Sequence, residues 1–175
     1  SKTVFEDKTM DSQGLKNVAK FLVNLSEYSA KTMFTNLTSL IQLFDSESYV
    51  IRNAVIEVIG NIIIKILSKL DDIDDVETRN NYLKTKENFI DILFDRIYDK
   101  SGYCRSKVLQ IFEKLTDNNV INVPSYFRLL TETIGRLKDE KTNVNRFTLF
   151  HKENIRYWGI YGSKWYEKKW FKRDT

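Results

Sequence analysis

The chain is poor in residues that interrupt helices and in residues that assemble most small-site chemistry. Among its 175 residues there are one proline, six glycines, one cysteine and one histidine. So few breakers leave long stretches open to continuous helix. The single cysteine, Cys104, excludes an internal disulfide framework and a multi-cysteine zinc site, and a reducing compartment, cytosolic or nuclear, is expected. With His151 as the sole histidine, a zinc ligand set cannot be completed, and a Cys–His nucleophile would need these two residues to meet. There is no glycine-rich phosphate loop. No long hydrophobic run occurs either. The most apolar stretch, Ile59 to Leu67, contains Asn61 and Lys65 and is too short to span a bilayer. The first ten residues are polar and mixed in charge, so no signal peptide is expected.

What the chain has is apolar content and a skewed charge. Hydrophobic residues make up 42% and charged residues 30%, enough for a continuous core and against global disorder. The net charge of +4 is not spread evenly. From Arg146 to Thr175 there are eight Lys/Arg, three acids, all three Trp and nine aromatics, whereas the other 145 residues carry 20 bases and 21 acids.

Apolar residues recur at helical spacing over most of the length. Gln13 to Tyr28 places Leu15, Val18, Ala19, Leu22, Val23 and Leu25 on one face. Lys31 to Phe44 does so with Phe34, Leu37, Leu40, Ile41 and Phe44. Tyr49 to Leu70 is Ile- and Val-rich, but about 22 residues without a turn signal indicate a buried helix. The acidic loop Asp71 to Asp75 follows, with Asp75 placed to cap the helix Val76 to Tyr98. That helix offers Tyr82, Phe89, Ile90, Leu93, Phe94 and Ile97. Tyr103 to Thr116 uses Val108, Leu109, Ile111, Phe112 and Leu115. A last helix from Pro124 to about Lys138 is expected to bury Phe127, Leu130, Ile134 and Leu137.

One short pattern appears twice. Asp45-Ser46-Glu47-Ser48-Tyr49-Val50-Ile51-Arg52 and Asp99-Lys100-Ser101-Gly102-Tyr103-Cys104-Arg105 each run from a turn Asp through small polar residues and a Tyr to an Arg in the first helical turn. Asp45 to Ser48 supplies N-cap candidates, and Asp99 to Gly102 turns the chain. Recurrence of this turn between paired amphipathic helices marks a stacked repeat. The expected fold is all-α: a HEAT/armadillo-like, right-handed α-solenoid of antiparallel helix pairs over residues 13–144. Residues 1–12 are expected to be a frayed end or the close of a preceding helix, and 145–175 an atypical basic aromatic tail. A third turn of the same kind is expected at Asp139 to Val144, with Asn145 where an Arg would stand.

The stretches Arg52 to Gly60, Glu77-Thr78-Arg79, Arg105-Ser106-Lys107-Val108-Leu109-Gln110-Ile111-Phe112 and Ile134 to Lys141 together resemble the condensin complex subunit 1 family. Those proteins are the non-SMC, kleisin-bound HEAT-repeat subunits of condensin. The resemblance covers roughly residues 15 to 144, and family members are far longer. It implies a non-catalytic scaffold in mitotic chromosome condensation, with kleisin and SMC subunits as partners and contact to chromatin or DNA. It implies residence in the nucleus and on chromosomes, and in the cytoplasm when off chromatin. It implies no cofactor, no small-molecule substrate and no membrane. By the family's usage, Asp45, Arg52, Asp99 and Arg105 would form an inter-repeat ladder. A generic HEAT or armadillo-like adaptor for transport, trafficking or phosphatase scaffolding is the alternative, and an enzyme with carboxylate chemistry a weaker third.

Each candidate has a plainer reading. The two Asp–Arg motifs are expected to cap and register neighbouring repeats, as partly exposed pairs worth on the order of 1 kcal/mol each. Cys104 is expected to be a half-buried packing residue and Asp71 to Asp75 a solvated loop without EF-hand spacing. In the tail, Lys164, Trp165, Lys168, Lys169, Trp170, Lys172 and Arg173 interleave bases with aromatics, a composition suited to phosphate and unpaired bases. The same composition suits an anionic membrane surface. The competing expectation for the tail is a non-native end arising from a frame error, an alternative exon or a degenerate terminus.

Overall fold

A computed structural model describes residues 13–67 and 74–135. The expected third turn, the nucleic-acid candidates of the tail, His151 and the first twelve residues lie outside the described residues. The chain divides into two units, residues 1–122 and 123–175.

Among the described residues, the first unit has six α-helices: α1 (Gln13–Tyr28), α2 (Ala30–Thr35), α3 (Leu37–Gln42), α4 (Tyr49–Ile62), α5 (Val76–Arg96) and α6 (Gly102–Asp117). It is all-α among the described residues, with α2–α3 and α4 forming one antiparallel hairpin and α5 and α6 the next. These are HEAT-type helix pairs. Helix α4 lies between α1 and α6. Its burial shows why: Ile51, Ala54, Val55, Ile56, Val58, Ile59 and Ile62 are all buried, and the polar side chains Asn53, Glu57 and Asn61 form one narrow, partly exposed stripe. All three helices run in the same direction. Near the far end of α4, Asn61 Nδ2 donates to Ser26 Oγ of α1 at 2.8 Å, and near its start Tyr49 stacks on Tyr103 of α6.

Two expected helices are interrupted. The span Lys31 to Phe44 is divided into α2, α3 and a 3-10 turn at Leu43–Asp45. The break falls at Asn36, where neither proline nor glycine stands. Thr35 Oγ1 and Asn36 Nδ2 both donate to Thr32 O, at 2.8 and 2.9 Å, so side chains compete for the carbonyl that would continue the helix. The span Tyr49 to Leu70 is α-helical only to Ile62 and continues as a π turn over Ile63–Leu67. There Lys65 Nζ donates to Glu27 O of α1.

The second hairpin follows its pattern closely. In α5, Phe89, Ile90, Leu93 and Phe94 are buried, as is Ile97 just beyond it, while Tyr82 packs on Phe34 with ring centres 5.5 Å apart. Asp75 caps α5, its carboxylate accepting from Thr78 N at 2.9 Å. Helix α6 buries Val108, Leu109, Ile111, Phe112 and Leu115. It ends in a left-handed Asn119 (φ 55°), with Val120 N bonded to Leu115 O and Asn119 N to Thr116 O, both at 3.0 Å. That double bond pattern terminates a helix whether the left-handed residue is Gly or Asn.

In the second unit, α7 (Val123–Gly135) carries Pro124 in its first turn, where the missing N–H costs nothing. Its buried residues are Leu129, Leu130 and Thr133. Phe127 and Ile134, expected inside with Leu130, are 54% and 49% exposed. Leu130 lies on the border of two apolar stripes, and periodicity alone does not choose between them. Leu137 lies outside the described residues.

Candidate interaction site

The turns before α4 and α6 are built alike. Arg52 and Arg105 each occupy the fourth position of their helix. Arg52 Nη1 donates to Ser46 O and Glu47 O at 2.8 and 2.9 Å, and Arg105 Nη1 to Asp99 O and Lys100 O at 2.8 and 3.3 Å. Each arginine thus closes its own turn by binding the carbonyls six and five residues back. In both turns a side-chain oxygen also holds an N–H two residues on: Ser46 Oγ accepts from Ser48 N at 3.3 Å, and Asp99 Oδ1 from Ser101 N at 2.8 Å. Ser48 and Ser101 stand at the N-cap positions but make no side-chain cap bond.

These matched bonds align Ser46 with Asp99 and Arg52 with Arg105. The aligned Asp45 and Asp99 of the sequence motif therefore differ by one residue in register. Asp45 is exposed on the 3-10 turn, and Ser46 holds the place that Asp99 holds in the second copy.

The second turn has an additional function. Arg52 reaches across from the first hairpin and grips Asp99 with a bidentate fork, Nε to Oδ2 at 3.0 Å and Nη2 to Oδ1 at 2.9 Å. Both side chains are 3% exposed. Of the four candidate ladder residues, the structure brings Arg52 and Asp99 together as a rung between hairpins, with Arg105 bonded to the backbone of the same turn. The rung is buried, contrary to the partly exposed pair expected. Such a pair fixes geometry, because removing one partner strands a charge away from water. Burial opposes ionisation of Asp99, but the Arg52 hydrogen bonds, the Ser101 N–H and the guanidinium charge outweigh it and hold the carboxyl below the usual carboxylate range. Burial likewise opposes the charge on Arg52, and the Asp99 bonds and charge more than offset it.

Around the rung lie contacts that sequence reasoning missed. The rings of Tyr49 and Tyr103 stack with centres 4.9 Å apart and planes at 22°. Both tyrosines were visible in the repeated motif, but nothing in one sequence indicates that they touch. Lys100 pairs with Glu47 at 2.6 Å on the surface. Glu57 of α4 receives Lys107 at 3.0 Å and Lys114 at 3.5 Å from α6. Cys104 is fully buried rather than half-buried, its Sγ 3.6 Å from Tyr49 O. Burial and the Asp99 charge push its thiol up to about 12, which makes it a poor nucleophile. Asp74 and Asp75 are exposed, and the rest of the acidic loop lies outside the described residues. Among the described residues no three His, Cys, Asp or Glu side chains gather to hold a metal ion, and no helix is long and apolar enough to cross a membrane.

Hairpins set side by side, joined by a buried Arg–Asp rung and a shared turn geometry, define a HEAT-type helical repeat protein. No protein-family model matches the chain. Individual relatives do. It is 33% identical over 139 residues to condensin-1 complex subunit CAP-D2 of Arabidopsis thaliana, covering 79% of this chain and 10% of that protein. It is 37% identical over 137 residues to condensin complex subunit 1 of Schizosaccharomyces pombe, covering 78% and 12%. The Xenopus laevis condensin complex subunit 1 is 29% identical over 139 residues, 79% of this chain and 10% of its own length. The chain belongs to the condensin complex subunit 1 family, and it spans about a tenth of the length of the curated relatives it matches.

Proposed function

We propose that this stretch is part of a non-catalytic scaffold subunit of a condensin complex, acting in mitotic chromosome condensation by holding other proteins along stacked helix pairs. The relatives' identity over more than three-quarters of the chain carries the reading. The partners are the kleisin and SMC subunits, and the place of action is the nucleus and its chromosomes, with a cytoplasmic pool off chromatin. Contact with chromatin falls mainly to other parts of the subunit, since the 145 residues before the basic tail carry 20 bases against 21 acids. No observation favours the generic adaptor for transport, trafficking or phosphatase scaffolding.

The test is purification of the full-length subunit carrying this stretch, tagged at its own locus. Kleisin and SMC subunits are expected to co-elute in equal amounts with it through gel filtration. Co-elution with vesicle-coat or phosphatase subunits in their place overturns the assignment.

A further inference from the structure

Of the three parallel helices α1, α4 and α6, two are covered by the limb that precedes them in the chain. The limb from α2 to Asp45 lies against α4, and α5 lies against α6, where Phe94 and Phe112 pack with ring centres 4.7 Å apart. Side contacts between the parallel helices set their register. Leu15 and Val23 of α1 join Ala19 in an apolar cluster with Ile51 and Ala54 of α4, while Arg52 and Gly60 of α4 meet Asp99 and Ile111. Aligning Leu15 and Val23 with Arg52 and Gly60, and Arg52 with Arg105, brings three sets of apolar residues into line. Val18, Phe21, Leu22 and Leu25 stand where α4 has Val55, Val58, Ile59 and Ile62, and where α6 has Val108, Ile111, Phe112 and Leu115. Every one of those α4 and α6 residues is at most 1% exposed. In α1 the same face is open: Val18 is 49% and Phe21 62% exposed, and Leu22 and Leu25 are half-buried.

We infer that the open face of α1 is covered by an antiparallel helix from the segment of the same subunit that precedes it, making α1 the second limb of a hairpin as α4 and α6 are. Continuity with the two hairpins chooses the occupant. In both, the cover is the neighbour in sequence, joined by a short turn. Consecutive elements usually pack on one another, and a tethered limb outcompetes a free one of equal affinity because its effective concentration is higher. The chemistry of the face agrees. Val18, Phe21, Leu22 and Leu25 recur at the spacing of a helix-packing stripe and include no charge, so they complement the apolar side of a helix and offer nothing to a phosphate backbone. The curated relatives, of which this chain spans about a tenth, are long enough to supply the limb. Once covered, this face is closed to partner subunits, which must grip the stretch elsewhere. The inference goes beyond the scaffold role proposed above and holds whichever partners that role involves.

The experiment places p-benzoylphenylalanine at position 18 or position 25 of the full-length subunit in its assembled complex, and maps the crosslinks by mass spectrometry after irradiation. Both are expected within the same polypeptide, N-terminal to Gln13. Because the covering helix is antiparallel, the residue caught from position 25 should precede the one caught from position 18 by about seven residues, two helical turns. Crosslinks to another subunit, to a second copy or to nucleic acid overturn the inference, as do the reverse order, scattered products or none. A second measurement uses the unsubstituted full-length subunit, so that a probe that disturbs packing does not decide the matter. Hydroxyl-radical labelling of Phe21, relative to the urea-unfolded chain, should be suppressed as far as that of Phe112, which is 0% exposed. Clearly weaker protection of Phe21 than of Phe112 leaves the face open and overturns the inference. Loss of kleisin and SMC co-elution, with these crosslinks intact, removes the scaffold role alone.

Discussion

In the first hairpin the chain enters α4 through Ser46; in the second it enters α6 through Asp99. Both side chains hold the N–H two residues ahead, at 3.3 and 2.8 Å. Only the carboxylate has lone pairs and charge left over to take a bidentate arginine from the neighbouring hairpin. The same local turn therefore ends as a neutral knot in one place and an ionic joint in the other. The hairpins differ elsewhere in the same sense. The outer limb of the first is broken at Asn36 and its inner helix passes into a π turn at Ile63–Leu67, whereas α5 and α6 are uninterrupted over 21 and 16 residues. Thr85 in α5 also donates to the carbonyl four residues back, at 2.8 Å, without breaking the helix. One back-bonding side chain is tolerated. Two on a single carbonyl, as at Thr32, coincide with the break.

Several substitutions separate the two turns. The largest effect is expected from Asp99→Ala, which leaves the Arg52 guanidinium buried without its partner, a change that costs about 3–5 kcal/mol in comparable pairs. Asp45→Ala, in the residue that the motif puts in the same place, should change stability by no more than about 0.5 kcal/mol. Urea unfolding followed by circular dichroism measures both, and equal losses would erase the distinction between the turns.

Next in size is Gly60→Ala. An added Cβ would sit 2.7 Å from Ile111 Cγ2, an atom fixed by the rotamer of a β-branched side chain. Overpacking of this kind costs about 1–3 kcal/mol, and thermal unfolding should show it. An unchanged midpoint would mean that α4 and α6 are less closely apposed than they are here.

The pH dependence sharpens the same contrast. Asp99 titrates below its unfolded value of about 3.9, so the unfolded chain binds its proton first and stability falls as the medium becomes acid. The contribution is complete above about pH 4 and is lost as pH drops through the lower folded value. The fall in urea midpoint on acidification should therefore be shallower in Asp99→Asn than in the parent chain. Parallel curves would place the acid sensitivity elsewhere.

Two smaller effects complete the series. Cys104, with its thiol pushed up to about 12, should react with an aromatic disulfide only after denaturant is added. Rapid reaction in buffer would show that the start of α6 opens. Glu47→Ala removes only the exposed partner of Lys100, and its unfolding midpoint should match that of the parent.

Much of this was legible in the chain. The apolar stripes of α5 and α6 announced which side chains would be buried, because a helix that packs on one face repeats every three to four residues and little else in a sequence does. The repeated Asp-to-Arg turn indicated stacked pairs, and Asp75 indicated a cap. What escaped was register and partner. Aligning the two turns on aspartate and tyrosine shifts them by one residue from the alignment set by the hydrogen bonds, and so conceals that Ser46 stands where Asp99 does. In α7 the stripe through Phe127 and Ile134 competed with the one through Leu129 and Thr133, and composition could not rank them.

By itself the sequence determined that this protein is helical, paired and repeated, since periodicity, turn chemistry and the scarcity of breakers are local properties carried by neighbouring residues. Only the tertiary structure decided that Arg52 meets Asp99 across 47 residues, that Tyr49 lies on Tyr103, and that Arg96 covers Phe44. Contacts between hairpins depend on how side by side they lie, and a shift of one residue or a fraction of a turn exchanges every partner while leaving each helix intact.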